Sequence, residues 1–395
     1  MIRNIKESIA SVDVVGIASD LIRIPSFSFM ENQERDVAFY IYDLFRREGI
    51  EAELIELMPG RYNVTACLSG SGGGKSLMLS GHLDTVPAYD MGVPFSGKII
   101  DGRLHGRGAC DMKGPLASMI AAMIGIHRSG IPLKGDLIFT GLIDEEEKGK
   151  GVEYLIEHGP FADASVTGEP TGMQPAIGHK GLEWIRVSVF GKKVHGGRKD
   201  EGINAIDMAS RIIARIQDEY VPKLNRRKHP LLGYPTINVG KIQGGDQPST
   251  VPGSCTIEID RRWVPEESLN QVYEELEEII GAVQKEYPGF RAEVSGVFLP
   301  GELLAHEPFC IDEKDPLIQS VQRAFELTDK PYEGVTTFPA WSDAGVMAYY
   351  TDMKCIIMGP GDLALAHSGN ESIGVDELTA AALIYGCLAW DYCGA

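Results

Sequence analysis

Four acidic side chains in a row, Asp144 to Glu147, follow a strongly apolar segment in the sequence DLIFTGLIDEEEKGKG. A run of this kind is typical of an exposed acidic turn, and it is equally typical of a catalytic carboxylate placed beside a metal ligand. Further residues of metal-ligand type come after other apolar segments: His82 after SLMLSG, Glu169 after ASVTG, and His367 in the loop after KCIIMG. The question is whether these distant residues share one site.

The elements that carry these residues alternate between short apolar strands and helices. Strands are predicted at 63–69, 76–81, 136–143, 164–168 and 354–358, and helices at 32–48, 115–129, 316–327 and 376–391. This alternation predicts an α/β domain with a mostly parallel sheet. Because the carboxyl ends of parallel strands share one edge, where open α/β folds place their sites, we expect these residues to be neighbours in space.

Asp111 is a fifth candidate, in the glycine-rich loop GRGACDMKGP just before a helix whose first turn accommodates Pro115. Two histidines and several carboxylates without a cysteine suit Zn²⁺ and also Co²⁺ or Mn²⁺. Five such ligands would crowd one ion, whereas two ions about 3.5–4 Å apart, bridged by one carboxylate, use them all. Taken singly, each histidine is also typical of a hydrogen-bonded structural residue and each acid of a helix cap. Their convergence on one edge predicts a site for two divalent cations.

The middle of the chain has a different pattern. Apolar and polar residues alternate at 185–189 and 255–259, which predicts strands with one exposed face. Together with two amphipathic helices and further strands at 235–242 and 290–296, the order is βαββαβ, a ferredoxin-like α+β arrangement. The predicted division into first catalytic part, inserted domain and second catalytic part is 1–179, 180–297 and 298–395. The edges of the inserted sheet are free to pair with a second copy of the chain.

Composition excludes some classes of function. Among 395 residues, 56 acidic against 37 basic side chains give a net charge of -19, which opposes broad contact with a nucleic-acid backbone. Seven scattered cysteines without a CxxC pair favour reduced thiols over a disulfide framework. The N-terminal segment 1–26 is typical of an amphipathic helix ended by Pro25, with no signal peptide or membrane span. We therefore expect a cytoplasmic protein that binds neither nucleic acid nor membranes.

Five segments resemble the signature motifs of the M20 metallopeptidase family. They are SGHLDTVP (80–87), GRGACDMKGPLA (106–117), DEEEKGKG (144–151), GEPT (168–171) and GPGDLALAHSGNESI (359–373). The family includes acetylornithine deacetylase, succinyl-diaminopimelate desuccinylase, aminoacylase and carboxypeptidase G. The resemblance covers essentially the whole chain, and it implies that the inserted domain is a dimerisation domain and the protein a homodimer.

The resemblance also implies a role for each residue of metal-ligand type. The implied positions are His82 and Glu169 on the first metal ion, Glu146 and His367 on the second, and Asp111 bridging both. The expected ions are two Zn²⁺, with Co²⁺ or Mn²⁺ as alternatives.

The acidic run is then divided by counting along the motif. Alignment without a gap makes Glu145 the general base and Glu146 the metal ligand, whereas alignment on the Lys-Gly pair that follows would shift these roles to Glu146 and Glu147. We adopt the first register. Neighbouring residues at a strand end point to opposite sides, so that one carboxylate holds metal while the other faces water. Glu147 is then a surface acid.

Asp84 stands two residues after His82, so in an extended chain both side chains point to one face. Carboxylates that accept from the far nitrogen of a metal-ligating histidine fix the orientation of its ring. We expect this role for the Asp84 carboxylate, and the alternative is a turn aspartate before Thr-Val-Pro.

The inserted domain holds three residues that resemble substrate contacts of the family. In GKKVHGGRKDEGINAI, His195 is implied as an electrophile for the carbonyl oxygen that acts in trans, in the active site of a second subunit; a polar loop before a helix is the alternative. In DRRWVPEE, Arg262 is implied as the cation for a substrate carboxylate, because a guanidinium grips a carboxylate bidentately, and Arg261 would point to the opposite face. Asn238 is implied as a polar substrate contact.

These features predict a zinc-dependent amidohydrolase that cleaves the amide of a small N-acyl-L-amino acid. A dipeptidase or carboxypeptidase with the same chemistry is the alternative, because TTFPAWSDAGVMA, with Trp341, departs from the commoner Gly-Thr-Asp or Gly-Ser-Asp of the family. A non-catalytic metal-binding relative would have a damaged base or ligand, and none is seen. Serine or cysteine hydrolysis is not favoured, because no GxSxG occurs and Cys110 adjoins Asp111, whose charge raises a thiol pKa.

Overall fold

The computed structural model describes residues 1–298 and 304–394, which form two compact units. The first unit comprises Met1–Gly178, Cys310–Phe338 and Ser342–Ala395, and the second comprises His179–Phe309 with Pro339–Trp341. The second unit is therefore inserted into the first along the chain, and the predicted boundary at residue 297 lies within it.

The helices and strands are numbered in chain order. The helices are α1 (Ile2–Ala10), α2 (Val14–Arg23), α3 (Arg35–Arg47), α4 (Lys113–Ser129), α5 (Lys150–His158), α6 (Ala205–Arg215), α7 (Val221–Leu224), α8 (Leu269–Glu286), α9 (Pro316–Leu327), α10 (Asp343–Tyr350) and α11 (Val375–Cys393). The strands are β1 (Glu51–Met58), β2 (Arg61–Leu68), β3 (Leu77–His82), β4 (Lys98–Ile100), β5 (Arg103–His105), β6 (Leu137–Leu142), β7 (Ala164–Pro170), β8 (Gly178–His179), β9 (Gly181–Phe190), β10 (Val194–His195), β11 (Thr236–Gly244), β12 (Thr250–Val251), β13 (Ser254–Trp263), β14 (Arg291–Gly296), β15 (Phe309–Cys310), β16 (Lys354–Gly359) and β17 (Ser372–Gly374).

The N-terminal segment forms two helices, so the prediction of one amphipathic helix is wrong. Helix α1 ends at Ala10 and α2 begins at Val14. The break follows from Asp13, whose carboxylate accepts a hydrogen bond from the backbone N–H of Gly16 at 2.9 Å and so caps a new helix.

The central sheet of the first unit has six strands in the order β1-β2-β6-β3-β7-β16. Strands β6, β3, β7 and β16 are parallel to one another, whereas β2 is antiparallel to both β1 and β6. Strands β3, β6 and β7 are buried along their whole length, as expected for the uninterrupted apolar runs of parallel strands. The predicted α/β class with a mostly parallel sheet is confirmed.

The carboxyl ends of the parallel strands bring the candidate residues to one edge of this sheet. His82 is the last residue of β3, and Glu169 is the next-to-last residue of β7. The acidic run begins two residues after β6 ends, and His367 lies in the loop between β16 and β17. Asp111 lies two residues before α4, a helix that is buried over most of its length. The fold therefore positions His82, Glu169, Asp111 and the acidic run by the ends of buried elements, whereas His367 is positioned by a loop.

The second unit contains a four-stranded antiparallel sheet in the order β11-β13-β9-β14, with α6 and α8 packed on one face. The chain order β9-α6-β11-β13-α8-β14 is the βαββαβ order that the sequence predicts. Along β13 the buried residues alternate with half-exposed ones, so that Ile257, Ile259 and Trp263 reach the core. Arg261 lies on this helix-covered face, and Arg262 lies on the opposite face.

The seven cysteines form no disulfide bond among the described residues, and five of them are buried. Across residues 1–298 and 304–394, we find no helix with the length and apolar character needed to cross a membrane.

Two glycines inside long helices give a matched test of the packing. In α4, a Cβ added at Gly125 would lie 2.4–2.8 Å from atoms of Ile9, whereas a Cβ added at Gly281 in α8 meets nothing within 4 Å. Gly281→Ala should stabilise the protein by about 0.5–1 kcal/mol, because alanine loses less conformational freedom on folding. Gly125→Ala should destabilise it by about 1–3 kcal/mol through overpacking. Urea unfolding measures both changes, and a stabilised Gly125→Ala protein would contradict the close packing of α1 on α4.

Candidate metal centre

His82 is a buried imidazole whose ring is held in one orientation. Its Nδ1 lies 2.9 Å from the backbone oxygen of Asp84. Since a carbonyl oxygen only accepts, Nδ1 is the donor, and Nε2 faces Oδ1 of Asp111 at 3.0 Å. A ring nitrogen this close to a carboxylate oxygen carries either a proton or a cation. The Nε2 atom of His82 is therefore oriented as a metal ligand would be.

The carboxylate of Asp111 is shared by two histidines. Its Oδ1 faces Nε2 of His82 at 3.0 Å, and its Oδ2 faces Nε2 of His367 at 3.2 Å. The same nitrogen of His367 lies 3.1 Å from Oε1 of Glu146. Burial opposes ionisation of Asp111, yet hydrogen bonds from the two imidazoles hold its pKa well below the usual range. This is the arrangement of a bridging carboxylate with one histidine at each end.

Glu169 and Glu145 complete the cluster. Oε1 of Glu169 is 3.9 Å from Nε2 of His82, and it is a buried atom that has no hydrogen-bond partner in the described part of the chain. Burial raises the pKa of Glu145 well above its usual value; His82 opposes this rise, and the charges of Glu169, Asp343 and Glu146 add to it. Burial likewise raises the pKa of Glu169. Several carboxylates are thus crowded around two imidazoles.

The loop that carries Glu145 and Glu146 is closed at its base by Asn63 of β2. The N–H of Ile143 donates to Oδ1 of Asn63 at 3.0 Å, and Nδ2 of Asn63 donates to the backbone oxygen of Gly151 at 3.0 Å. Asn63 is buried, so water does not compete for these bonds. One side chain therefore holds both limbs of the acidic loop.

Arg61, on the same strand as Asn63, holds the first residue of the acidic run. Its Nη2 donates to Oδ1 of Asp144 at 2.9 Å, and its Nε donates to the buried carboxylate of Glu34 at 2.7 Å. Asp144 has a φ of 71°, in the left-handed region, so the chain turns sharply where the run begins. The carboxylates that follow start from a fixed point.

Asp84 lies against both the imidazole of His82 and the acidic loop. Its carboxylate accepts hydrogen bonds from the backbone N–H groups of Glu145 at 3.2 Å and Glu146 at 3.0 Å, while its Oδ1 lies 3.5 Å from Nδ1 of His82. The shorter contact to the imidazole comes from the backbone oxygen of Asp84, because the carboxylate is turned toward two peptide donors. Asp84 thus orients His82 with its carbonyl and the acidic loop with its side chain.

The residues of the cluster fit a pair of divalent cations. Two ligand atoms held about 2.1 Å from one ion are about 3.0–3.4 Å apart. The distances of 3.0, 3.1 and 3.2 Å between histidine nitrogens and carboxylate oxygens lie in this range. Buried carboxylates in excess of imidazoles also require further positive charge. The Oε1 atom of Glu169, buried without a hydrogen-bond partner among the described residues, offers one more ligand atom.

The sequence profile of Peptidase family M20/M25/M40 matches residues 78–391, well over half of the chain. The chain belongs to this family. It is therefore a hydrolase of amide bonds, and zinc dependence is typical of the family. The resemblance seen in the five motifs is confirmed.

Curated relatives of this M20 chain carry the names of deacylases. A probable succinyl-diaminopimelate desuccinylase of Staphylococcus epidermidis is 27% identical over 92% of this chain and 94% of the relative. An N-formyl-4-amino-5-aminomethyl-2-methylpyrimidine deformylase of Halalkalibacterium halodurans is 28% identical over 95% and 94%, and an acetylornithine deacetylase of Vibrio campbellii is 29% identical over 84% and 85%. The similarity extends over nearly the full length of each protein.

Solved structures with the same fold include peptidases. Aminopeptidase PepT from Bacillus cereus has a TM-score of 0.78 at 22% identity, covering 96% of this chain and 98% of that one. A dinuclear metal-binding peptidase of the M20 family from Bacillus subtilis has a TM-score of 0.73 at 18% identity, covering 97% and 98%. At these identities the likeness establishes the fold, and it confirms the M20 architecture of this chain.

The remaining three predicted site residues belong to the second unit, whereas the cluster belongs to the first. His195 is exposed at the end of β10, and its Nδ1 accepts from the N–H of Gly197 at 3.1 Å. Asn238 is exposed on β11. Arg262 donates through Nε and Nη2 to both oxygens of Asp260, at 2.9 and 3.1 Å.

Arg261, the neighbour of Arg262, is fully buried on the other face of the strand. It donates to Glu267 at 2.6 Å and to the hydroxyl of Tyr220 at 3.2 Å. The alternation of side chains along β13 therefore separates the two arginines as the sequence predicts.

Sequence patterns do not reveal three charged residues beside the cluster. Arg107 and Glu371 form a fully buried ion pair. Asp343, at the start of α10, is buried, and burial raises its pKa to about 7. The sequence gives only weak signals for these three residues. Arg107 and Glu371 lie inside two of the family motifs, and Asp343 is the first residue of an apolar helix.

Zinc binding to the metal-free M20 chain should release protons and strengthen as the pH rises. Hydrogen bonds to Asp111 and Glu146 raise the pKa of His367 to about 10, and hydrogen bonds to Asp111 and Asp84 outweigh burial to raise that of His82. Both rings are therefore protonated near neutral pH and must lose a proton to bind metal. The free-energy cost of this deprotonation falls as the pH rises from about 6.5 toward 10. Calorimetric titration in buffers of different ionisation enthalpy measures the protons released. Zinc binding at pH 7 without proton release would contradict the raised pKa values.

Proposed function

We propose that this protein is a metal-dependent amidohydrolase that cleaves the amide bond of small N-acyl-L-amino acids, with Glu145 as general base. One observation carries the proposal: the carboxylate of Asp111 presents one oxygen to His82 and the other to His367, with the half-buried Glu145 nearby. A shared carboxylate between two histidines is the arrangement that a two-metal hydrolase requires.

The proposed ligands divide between two ions. His82 and Glu169 would hold the first, His367 and Glu146 would hold the second, and Asp111 would contribute to both. Nitrogen and oxygen ligands without sulfur suit Zn²⁺, and Co²⁺ or Mn²⁺ would also be accepted. Bound in this way, the ions supply a Lewis acid for the carbonyl oxygen and an acidified water.

Glu145 manages the proton in this scheme. Its carboxylate takes a proton from the attacking water and passes it to the leaving nitrogen, so that the amine departs neutral. The hydrogen bonds from the N–H groups of Glu145 and Glu146 to Asp84 hold the base and the adjacent ligand at a fixed separation. Burial raises the pKa of Glu145 and so makes its carboxylate a stronger acceptor for the proton of water.

The second unit supplies the proposed substrate contacts. Arg262 would bind the substrate carboxylate through Nη1, since its Nε and Nη2 are engaged by Asp260. Asn238 would add a polar contact. His195, exposed and with Nδ1 accepting from Gly197, keeps Nε2 available to the carbonyl oxygen of a substrate bound by a second subunit of a homodimer.

The choice of an acyl-amino acid over a peptide rests on the relatives at 27–29% identity, whose names specify succinyl, formyl and acetyl groups. A dipeptidase or carboxypeptidase is the second candidate. Trp341 would narrow the substrate pocket, because its ring is held by stacking on His306 with ring centroids 4.0 Å apart. Burial lowers the pKa of His306 to about 4, and the charges of His179 and Arg262 add to this effect. A neutral His306 beside Arg262 leaves the guanidinium as the nearby cation for an acidic substrate.

A panel of substrates tests the proposal directly. Zinc-, cobalt- or manganese-loaded protein should release amine from one or more N-acetyl, N-succinyl or N-formyl amino acids faster than from N-carbamoyl amino acids or dipeptides. Release of free amine is measured with a colorimetric reagent, and the metal-free protein is the control. Preferential cleavage of dipeptides would favour the second candidate, and no hydrolysis of any member would refute both.

Glu145→Gln and Glu147→Gln form a matched pair that tests the register of the acidic run. Glu145→Gln should lower kcat by at least about 100- to 10,000-fold while metal content is unchanged, because the base is lost and the ligands remain. Glu147→Gln should be nearly silent. Metal analysis and steady-state kinetics measure both effects, and an inactive Glu147→Gln protein would mean that the register is wrong by one.

Mixing two inactive variants tests the role of His195 in a second subunit. His195→Ala and Glu145→Gln subunits should each have little activity alone. After subunit exchange, a mixed dimer should regain one intact site, so activity should return to a fraction of the wild-type value. Exchange is followed with a tagged subunit, and confirmed mixed dimers without recovered activity would exclude action in trans.

A further inference from the structure

A buried ion pair between Arg107 and Glu371 lies next to the cluster of proposed metal ligands in the first unit. Both side chains are 1% exposed, and Nη1 of Arg107 donates to Oε2 of Glu371. Arg107 belongs to the loop that precedes Asp111, and Glu371 follows His367 by four residues. The pair therefore joins two segments that each carry a proposed ligand.

Glu371 binds the backbone of the loop that carries the bridging carboxylate. Its Oε1 accepts from the N–H of Cys110 at 2.9 Å and from the N–H of Asp111 at 3.1 Å. In addition, its backbone oxygen accepts from the N–H of Gly106 at 3.3 Å. These bonds fix the peptide of Asp111 itself, and with it the direction in which the Asp111 side chain leaves the main chain.

Arg107 binds the backbone of the other two ligand-bearing segments. Its Nε donates to the oxygen of Pro87 at 3.1 Å, in the segment that follows His82. Its Nη2 donates to the oxygen of His367 at 3.4 Å. With Glu371, one guanidinium and one carboxylate thus connect the loops of His82, Asp111 and His367.

We propose that Glu371, through Arg107, is a positioning residue that sets the spacing of the two metal ions by holding these three loops in register. This proposal rests on the proposed two-metal function, since it assigns Glu371 no contact with metal or substrate. A planar guanidinium donates from three nitrogens in fixed directions, so it can reach acceptors on separate segments, whereas a lysine ammonium donates from a single nitrogen. Removal of the Glu371 carboxylate leaves Arg107 buried without its counter-charge and frees two peptide donors, and the loops rearrange to solvate them.

Zinc affinity of the folded protein is the measurement that separates positioning from simple stability. Glu371→Gln should weaken binding of zinc by about 10- to 100-fold, the range expected when the partners that orient metal ligands are lost. Arg107→Lys should have a similar effect, because lysine keeps the positive charge but lacks the planar set of guanidinium donors. Competition with a chromophoric chelator gives the affinity and the number of ions, with circular dichroism to establish folding.

Glu267→Gln is the matched control. Glu267 is a buried carboxylate of the second unit that pairs with Arg261 at 2.6 Å and with Arg227 at 2.8 Å. It also accepts from the N–H of Val264 at 3.2 Å, so it too combines a buried ion pair with a peptide donor. This substitution should lower the unfolding temperature as much as Glu371→Gln does and leave zinc affinity within about twofold of wild type. Unchanged zinc affinity in folded Glu371→Gln and Arg107→Lys, or an equal loss in Glu267→Gln, would overturn the proposal.

The zinc measurement requires no substrate, so it also separates this inference from the proposed function. If the wild-type protein binds two zinc ions, hydrolyses no acyl-amino acid or peptide, and loses zinc affinity only through Glu371 and Arg107, the positioning role stands and the proposed activity is wrong. If the wild-type protein hydrolyses amides and Glu371→Gln keeps full zinc affinity, the activity stands and the positioning role is wrong.

Discussion

The candidate site of the first unit depends on one carboxylate whose two oxygens contact different histidines. Asp111 faces His82 at 3.0 Å and His367 at 3.2 Å, and these histidines come from segments more than 280 residues apart in the chain. The two oxygens of a carboxylate are a short, fixed distance apart, so both imidazoles must be positioned to within about half an ångström to contact them. The parallel sheet, the buried helix α4 and the hydrogen-bonded loops are all means of meeting that one requirement.

The support for this cluster is mostly electrostatic and mostly backbone-directed. The acidic loop is held by Asn63 and Asp84, which bind its peptide groups, and by Arg61, which binds the side chain of Asp144. The ring of His82 is oriented by the carbonyl of Asp84. Peptide groups occupy fixed positions once the sheet has formed, so the side chains that bind them are also held in fixed positions. Buried carboxylates at the cluster are a destabilising excess of charge without cations, and metal binding and folding are thereby linked.

The sequence was sufficient to predict the architecture and the members of the cluster, because both follow from patterns with a defined period. Apolar runs of strand length predicted β3, β6, β7 and β16, and the rule that parallel strands share a carboxyl edge brought His82, Glu169 and His367 together. Strand β1 was missed because Glu51, Glu53 and Glu56 interrupt its apolar residues at the edge of the sheet. The break at Asp13 was missed because a capping aspartate and an ordinary exposed aspartate have the same sequence signal.

The contacts that orient the cluster could not be predicted in this way. Hydrogen bonds such as those of Asn63 to Ile143 and Gly151, or of Glu371 to Asp111, join residues far apart in the chain and have no periodicity. The roles of His195, Asn238 and Arg262 also stay predictions, since they depend on the assembled active site rather than on the local fold of the second unit. The pairing of Arg262 with Asp260 is a specific feature of this chain that the motif alone did not indicate.

The two contacts of Asp84 divide its tasks between main chain and side chain. Its carbonyl orients the ring of His82, and every amino acid at this position would provide a carbonyl. Its carboxylate sets the position of the peptides that carry Glu145 and Glu146, and few other side chains would do so. Replacement of Asp84 would therefore leave the carbonyl contact to His82 in place, but it would free two peptide donors and remove a carboxylate that lies 3.5 Å from the imidazole, so the base, the adjacent ligand and the histidine would all be affected by one change.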